Sequence, residues 1–100
     1  MSNSFIYIIA STEDGPVKIG FSKDPERRLK ALQTGSAQKL NLYHVEPFES
    51  DDIKLVEDML HQENRFRRCG GEWFTMSVTQ AIAEVKYVAI PGIHPTKKKG

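Results

Sequence analysis

The sequence predicts a single α+β domain, with three strands that open on a β-hairpin and about three flanking helices. Phe5 to Phe21 carries two β-rich runs around a turn, and later segments near 25–34 and 50–66 repeat apolar residues at helical spacing. At 100 residues the chain suits one domain with one modest core. Residues 1–90 are expected to form that domain and 91–100 a mobile basic tail with Pro91, Pro95 and three lysines, Lys97 to Lys99.

After a polar lead-in, Met1 to Ser4, the first run places Phe5, Tyr7 and Ile9 on one face of a strand and Ile6, Ile8 and Ala10 on the other. A strand apolar on both sides reads as buried and central. Ser11 to Pro16 supplies turn chemistry around Gly15, after which Val17, Ile19 and Phe21 alternate with Lys18, Gly20 and Ser22. Asp24 then caps a helix that has Pro25 in its first position and stops at Gly35. At 100° per residue Leu29, Leu32 and Ala31 face inward, Arg28 falls between Leu32 and Ala31, and Arg27 points away.

Leu40 to Phe48 reads as the third strand, with Leu42, His44 and Glu46 alternating against Asn41, Tyr43 and Val45, and with Pro47 weakening its end. A second helix is expected from Ser50 to about Phe66. Its ends match the helix dipole, Asp51 and Asp52 in the first turn and Arg65, Arg67 and Arg68 at the far end. Its apolar face comprises Ile53, Leu55, Val56, Met59, Leu60 and Phe66, while Glu57 sits just past the margin with His61 one turn above. Cys69, Gly70 and Gly71 end that helix, Glu72 to Met76 packs back on the sheet, and Ser77 with Gln80 opens a third helix that turns Ala81, Ile82 and Val85 inward.

Composition describes an ordinary globular chain, with 39% hydrophobic and 27% charged residues and a formal charge of +1. The net charge favours no partner class, so the clustered Arg65, Arg67 and Arg68 and the terminal lysines carry the expectation of contacts with a nucleic-acid backbone, against the alternative of solvated charge runs. Phe5 to Ala10, the longest apolar run, is too short to cross a membrane or to form a signal-peptide core. One cysteine, Cys69, excludes an intrachain disulfide and a thiolate metal site, and together these features point to the cytoplasm.

The sequence holds no internal repeat, Gly-rich phosphate loop, His and Cys metal spacing or Ser nucleophile elbow, so chemistry rests on Tyr7, Lys18, Arg28, Glu57 and His61. Each also has a bland reading. Tyr7 is then packing, Lys18 a solvated strand residue, Arg28 an aliphatic stem lying over the core, and Glu57 with His61 a routine helix-surface pair.

Tyr7 in IYI, a turn, Lys18 in KIG, Arg28 eight residues after Gly20 and Glu57 on a later helix form an ordered set that resembles the GIY-YIG nuclease superfamily. Leu60 and His61 followed by Gly71, Glu72, Trp73 and Phe74 resemble its small phage-associated and prophage-associated members, over roughly residues 5–85. The resemblance implies a three-stranded antiparallel sheet with helices around it, in agreement with the count above. It also implies an endonuclease that hydrolyses DNA phosphodiester bonds with one Mg²⁺ or Mn²⁺. Tyr7 would then orient or deprotonate the attacking water, Arg28 would hold a phosphate with its permanent planar charge, and Glu57 would be the metal ligand.

Three departures qualify the likeness. Phe5 replaces the first glycine. Lys18 replaces the second tyrosine and either holds a phosphate oxygen, lowers the pKa of Tyr7, or marks a site that binds without cutting. Leu32 stands where many members carry a histidine, which leaves His61 to fill that space. The domain has no room for a separate recognition module, so specificity falls to an oligomer or another partner. The competing expectation is a catalytically silent nucleic-acid-binding or regulatory module on the same fold, and RNA stands beside DNA as a substrate.

Overall fold

A computed structural model describes residues 4–48 and 50–89. The acidic side chains of Asp51 and Asp52, His94 and the tail lysines lie outside the described residues. Strand β1 (Ser4–Ala10) pairs antiparallel with β2 (Val17–Ser22) on one side and with β3 (Asn41–Phe48) on the other. Ile6, Tyr7, Ile8, Ile9 and Ala10 are each fully buried, so the strand that is apolar on both faces is central. Each large aliphatic side chain so buried contributes about 1.5–3 kcal/mol. Ser4 already belongs to this strand and is buried; the polar lead-in therefore ends one residue earlier than expected.

Two layers cover the sheet. Helix α1 (Pro25–Thr34) lays Leu29 and Leu32 over a small cluster of Tyr7, Ile9 and Leu40. Asp24 caps it, its side chain accepting from the Arg27 amide at 3.1 Å, and Gly35 follows its last turn. Ala31, expected inward, is exposed, and of the three residues assigned to the inner face only Leu29 and Leu32 pack on that cluster. On the opposite face α2 (Ser50–Glu63) and α3 (Val78–Val88) bury Ile53, Val56, Leu60, Ala81 and Val85 against Ile6, Ile8, Val17 and Ile19. Ser77 caps α3 through the Gln80 amide at 3.1 Å, while the Gln80 side chain bonds Glu84.

The sheet has five strands where the sequence suggested three. The last residues expected in the second helix instead form a 3₁₀ turn over Arg65–Arg67; the chain then makes β4 (Arg68–Gly70) and β5 (Trp73–Phe74), the latter within the segment expected to pack on the sheet, in the order β3-β1-β2-β5-β4. Asn64 causes the early stop. It is 1% exposed, and its side-chain amide donates to the Leu60 carbonyl at 2.9 Å and to Glu84 Oε1 at 2.6 Å. Gly71, at φ 55°, then turns the chain into the hairpin. With the helix ended, Phe66 is 86% exposed; within α2 itself Leu55 is 44% exposed, although both were assigned to the apolar face.

A bulge alters β3. Ile8 pairs with His44 and Ile9 with Leu42, so Tyr43 is the extra residue and the alternation reverses across it. Tyr43 packs against the main core, on the face that His44 shares with Ile8 by register, and Leu42 packs on the α1 side; the strict alternation read from the sequence fails at this point. No helix among the described residues is long and apolar enough to cross a membrane.

Candidate functional site

Pairing of β1 with β2 sets Tyr7 opposite Gly20 and Ile9 opposite Lys18, all on the α1 face. A Cβ built on Gly20 would lie 2.5 Å from the Tyr7 hydroxyl, 2.7 Å from its Cζ and 2.9 Å from Glu72 Oε1. Only glycine leaves room for the phenol to lie across the strand with a carboxylate beside it. Arg28 reaches the same phenol from α1, its Nε donating to the Tyr7 oxygen at 3.4 Å. The guanidinium thus meets the body of the protein at Tyr7.

The edge of β2 gathers the remaining groups. The Ile19 amide donates to the Glu72 carbonyl at 3.1 Å, and His61 Nε2 donates to the Ile19 carbonyl at 2.8 Å. That bond places the imidazole proton on Nε2 and fastens α2 to the strand, with the ring 5.0 Å from that of Phe74. One turn earlier lies Glu57, at 3.9 Å from His61 Nε2 and 3.7 Å from Lys54 Nζ. The sequence put Glu57 just past the apolar margin; it is in fact 3% exposed. Among the described residues no side chain or amide donates a hydrogen bond to it, so a buried carboxylate is left with ion pairs alone.

Lys18 is also buried, at 8% exposure, and its Nζ lies 3.2 Å from Glu72 Oε1 and 5.8 Å from the Trp73 ring centroid. Its partner is thus Glu72. The pKa of Tyr7 is raised by burial, which outweighs the hydrogen bond and charge of Arg28, and Glu72 and Glu57 push it further up. The reading in which Lys18 lowers the Tyr7 pKa is corrected accordingly, for the cation acting on the phenol is Arg28. Arg28 in turn is held more firmly charged by its bond to Tyr7. Burial likewise raises the Glu57 carboxyl, with Glu72 and Asp58 adding to the rise and His61 and Lys54 opposing it.

Glu72 is the residue that sequence reasoning overlooked. It contacts Lys18, borders Tyr7 over Gly20 and acts electrostatically on Tyr7, Arg28 and Glu57. A clue lay in Gly70 and Gly71 before Trp73, a turn followed by β-formers, but a two-residue strand carries no periodicity. Among the described residues no three His, Cys, Asp or Glu side chains gather as a metal-holding group.

The expected backbone-binding arginines make no hydrogen bond or ion pair to these side chains among the described residues and have other intramolecular partners. Arg65 donates to the Gln62 carbonyl at 3.1 Å and lies over Phe66, Arg67 donates to Asn64 Oδ1 at 2.6 Å, and Arg68 donates to the Gly71 carbonyl at 2.8 Å.

Fold and site together describe a small α+β domain in which Tyr7, Lys18, Arg28 and Glu72 gather on the α1 face, while Glu57 and His61 come from α2 on the opposite face, where His61 bonds β2 at Ile19 and Glu57 feels the charge of Glu72. The chain matches the T5orf172 domain over residues 4–89 and belongs to that family, a phage-associated, nuclease-related group. Comparison with curated proteins and with solved structures finds no match.

Proposed function

We propose that the chain is a divalent-metal-dependent endonuclease of GIY-YIG type that hydrolyses DNA phosphodiester bonds with little sequence specificity of its own. The observation that supports this most is Glu57, a carboxylate 3% exposed without a hydrogen-bond donor among the described residues. An unsatisfied neutral group costs about 1–3 kcal/mol to bury and an anion costs more, a penalty that a merely structural residue has no reason to incur.

The donor chemistry suits Mg²⁺ or Mn²⁺, which take one or two carboxylates and keep water and substrate oxygens as their other ligands. When bound by Glu57, such a cation supplies charge stabilisation at the phosphoryl oxygens and a more acidic water. Arg28 holds a nonbridging phosphate oxygen through the guanidinium nitrogens that Tyr7 does not occupy. Tyr7, fully buried and kept protonated by that burial, holds the Arg28 guanidinium in place, and its hydroxyl orients the attacking water or the phosphate when Arg28 moves off it. His61, tied to the Ile19 carbonyl, positions the helix turn that carries Glu57.

The test is cleavage of duplex DNA by the full chain with Mg²⁺ or Mn²⁺, with RNA assayed in parallel. Glu57→Gln is expected to lower the rate by orders of magnitude at a similar Tm, since an amide keeps the shape and loses the charge. Equal cutting by this variant would remove Glu57 from the metal site. A second reading, a silent binding module, draws on the Lys18 and Glu72 ion pair that stands where the superfamily has a tyrosine. It takes over if the wild type fails to cut whichever divalent ion is supplied.

A further inference from the structure

Beside the site, where β2 passes into α1, lies a groove of about 310 Å³ lined by Ser22, Lys23, Asp24, Arg27, Arg28 and Ala31. Three of these six residues are cationic. Asp24 is the one carboxylate, and its Oδ1 is engaged in capping α1 at the Arg27 amide. Lys23 and Arg27 are exposed, and neither side chain makes a hydrogen bond or ion pair among the described residues. They differ in this from Arg65, Arg67 and Arg68, whose guanidinium groups are engaged with carbonyls, with Asn64 and with the Phe66 ring.

We infer that this groove is a binding track for the sugar-phosphate backbone of duplex DNA, in which Lys23 and Arg27 hold phosphates flanking the one that Arg28 and Tyr7 engage. The identity of the polyanion rests on the nuclease reading, and the geometry supplies the track. Arg28 belongs to both groove and site, joined to Tyr7 at 3.4 Å, so a strand lying along the groove enters the site without a break. Cations that give up no internal bond to receive a phosphate bind it at lower cost than cations that must release a partner. The lining has no aromatic ring on which a base could stack, and its small residues Ser22 and Ala31 let a backbone approach closely.

The test measures duplex DNA binding by fluorescence anisotropy across a salt series, with EDTA present and Glu57→Gln in every chain so that nothing is cut. Lys23→Gln with Arg27→Gln is expected to weaken binding and to make the slope of log Kd against log salt shallower by about two, one for each phosphate that is no longer neutralised. Arg65→Gln with Arg68→Gln is expected to change it far less. An unchanged slope in the first pair, or the larger change in the second, overturns the inference. So does a change seen with duplex RNA and absent with DNA. Because both groove residues are exposed, the variants should melt with the parent, and charge reversal by Lys23→Glu with Arg27→Glu should deepen the loss. Cleavage by the wild type is scored separately. Cutting with an unchanged slope defeats the track alone, whereas groove-dependent binding without cutting defeats the nuclease reading alone.

Discussion

Tyr7 shows how burial and charge compete at one atom. Desolvation raises its pKa above the ordinary 10.0, and the Arg28 hydrogen bond recovers only part of that rise. The phenol therefore carries its proton at neutral pH and serves as a donor. Folding of a group whose pKa is raised is favoured while both states are protonated, and that stability is lost as pH climbs past the unfolded value, where only the unfolded chain releases its proton. From about pH 9 to about pH 11 the wild type is expected to lose Tm faster than Tyr7→Phe, with the comparison cancelling the lysine titrations common to both. Parallel curves would show that the hydroxyl is not desolvated in solution. Gly20 belongs to the same scale, for its missing Cβ is the space that the Tyr7 hydroxyl and Glu72 occupy.

At the scale of elements, the end of α2 determines where the site's second carboxylate goes. Asn64 satisfies the Leu60 carbonyl, bonds Glu84 on α3 and accepts from Arg67, so one buried amide joins two helices and the start of the hairpin. Asn64→Ala removes three side-chain hydrogen bonds from a buried position, although the residue 64 amide still serves the Leu60 carbonyl and Gln80 still serves Glu84, and it is expected to cost about 1–3 kcal/mol, read from the midpoint of urea unfolding. Phe66→Ala, two residues on at an 86% exposed position, is expected to stay within about 0.5 kcal/mol. If the two variants unfold alike, the α2 terminus is held by something other than this amide. The helix stop matters chemically because the chain it frees becomes β4 and β5, which carry Glu72 to the edge of β2.

At the scale of the molecule, β1 and β2 are shared by two unequal cores, a small one under α1 and a larger one under α2 and α3. Trp73 packs on the smaller core while its neighbour Phe74 is fully buried in the larger, so the two-residue strand is tied to both. Thermal or urea unfolding followed by Trp73 fluorescence is therefore expected to coincide with far-UV circular dichroism as one cooperative transition. An earlier fluorescence midpoint would show that the hairpin and its part of the site come loose before the sheet.

Local sequence by itself determined the elements whose signals are contiguous. The two apolar faces of Phe5 to Ala10 define a central strand, Asp24 with Pro25 and Gly35 bracket α1, and Ser77 begins α3, since caps and period-two runs act over a few residues. The pairing of Tyr7 with Gly20 also follows, because the turn sets the hairpin register, whereas Lys18 falls opposite Ile9 and shares only a face with Tyr7. Tertiary structure alone decided the rest. A bulge at Tyr43 depends on how β3 meets β1, β4 and β5 are too short to show a period, and the depth of Glu57 depends on what covers a helix margin. Lys18 found Glu72, 54 positions away in sequence. Such contacts draw their free energy from partners distant along the chain, so no window of neighbouring residues contains the information that places them.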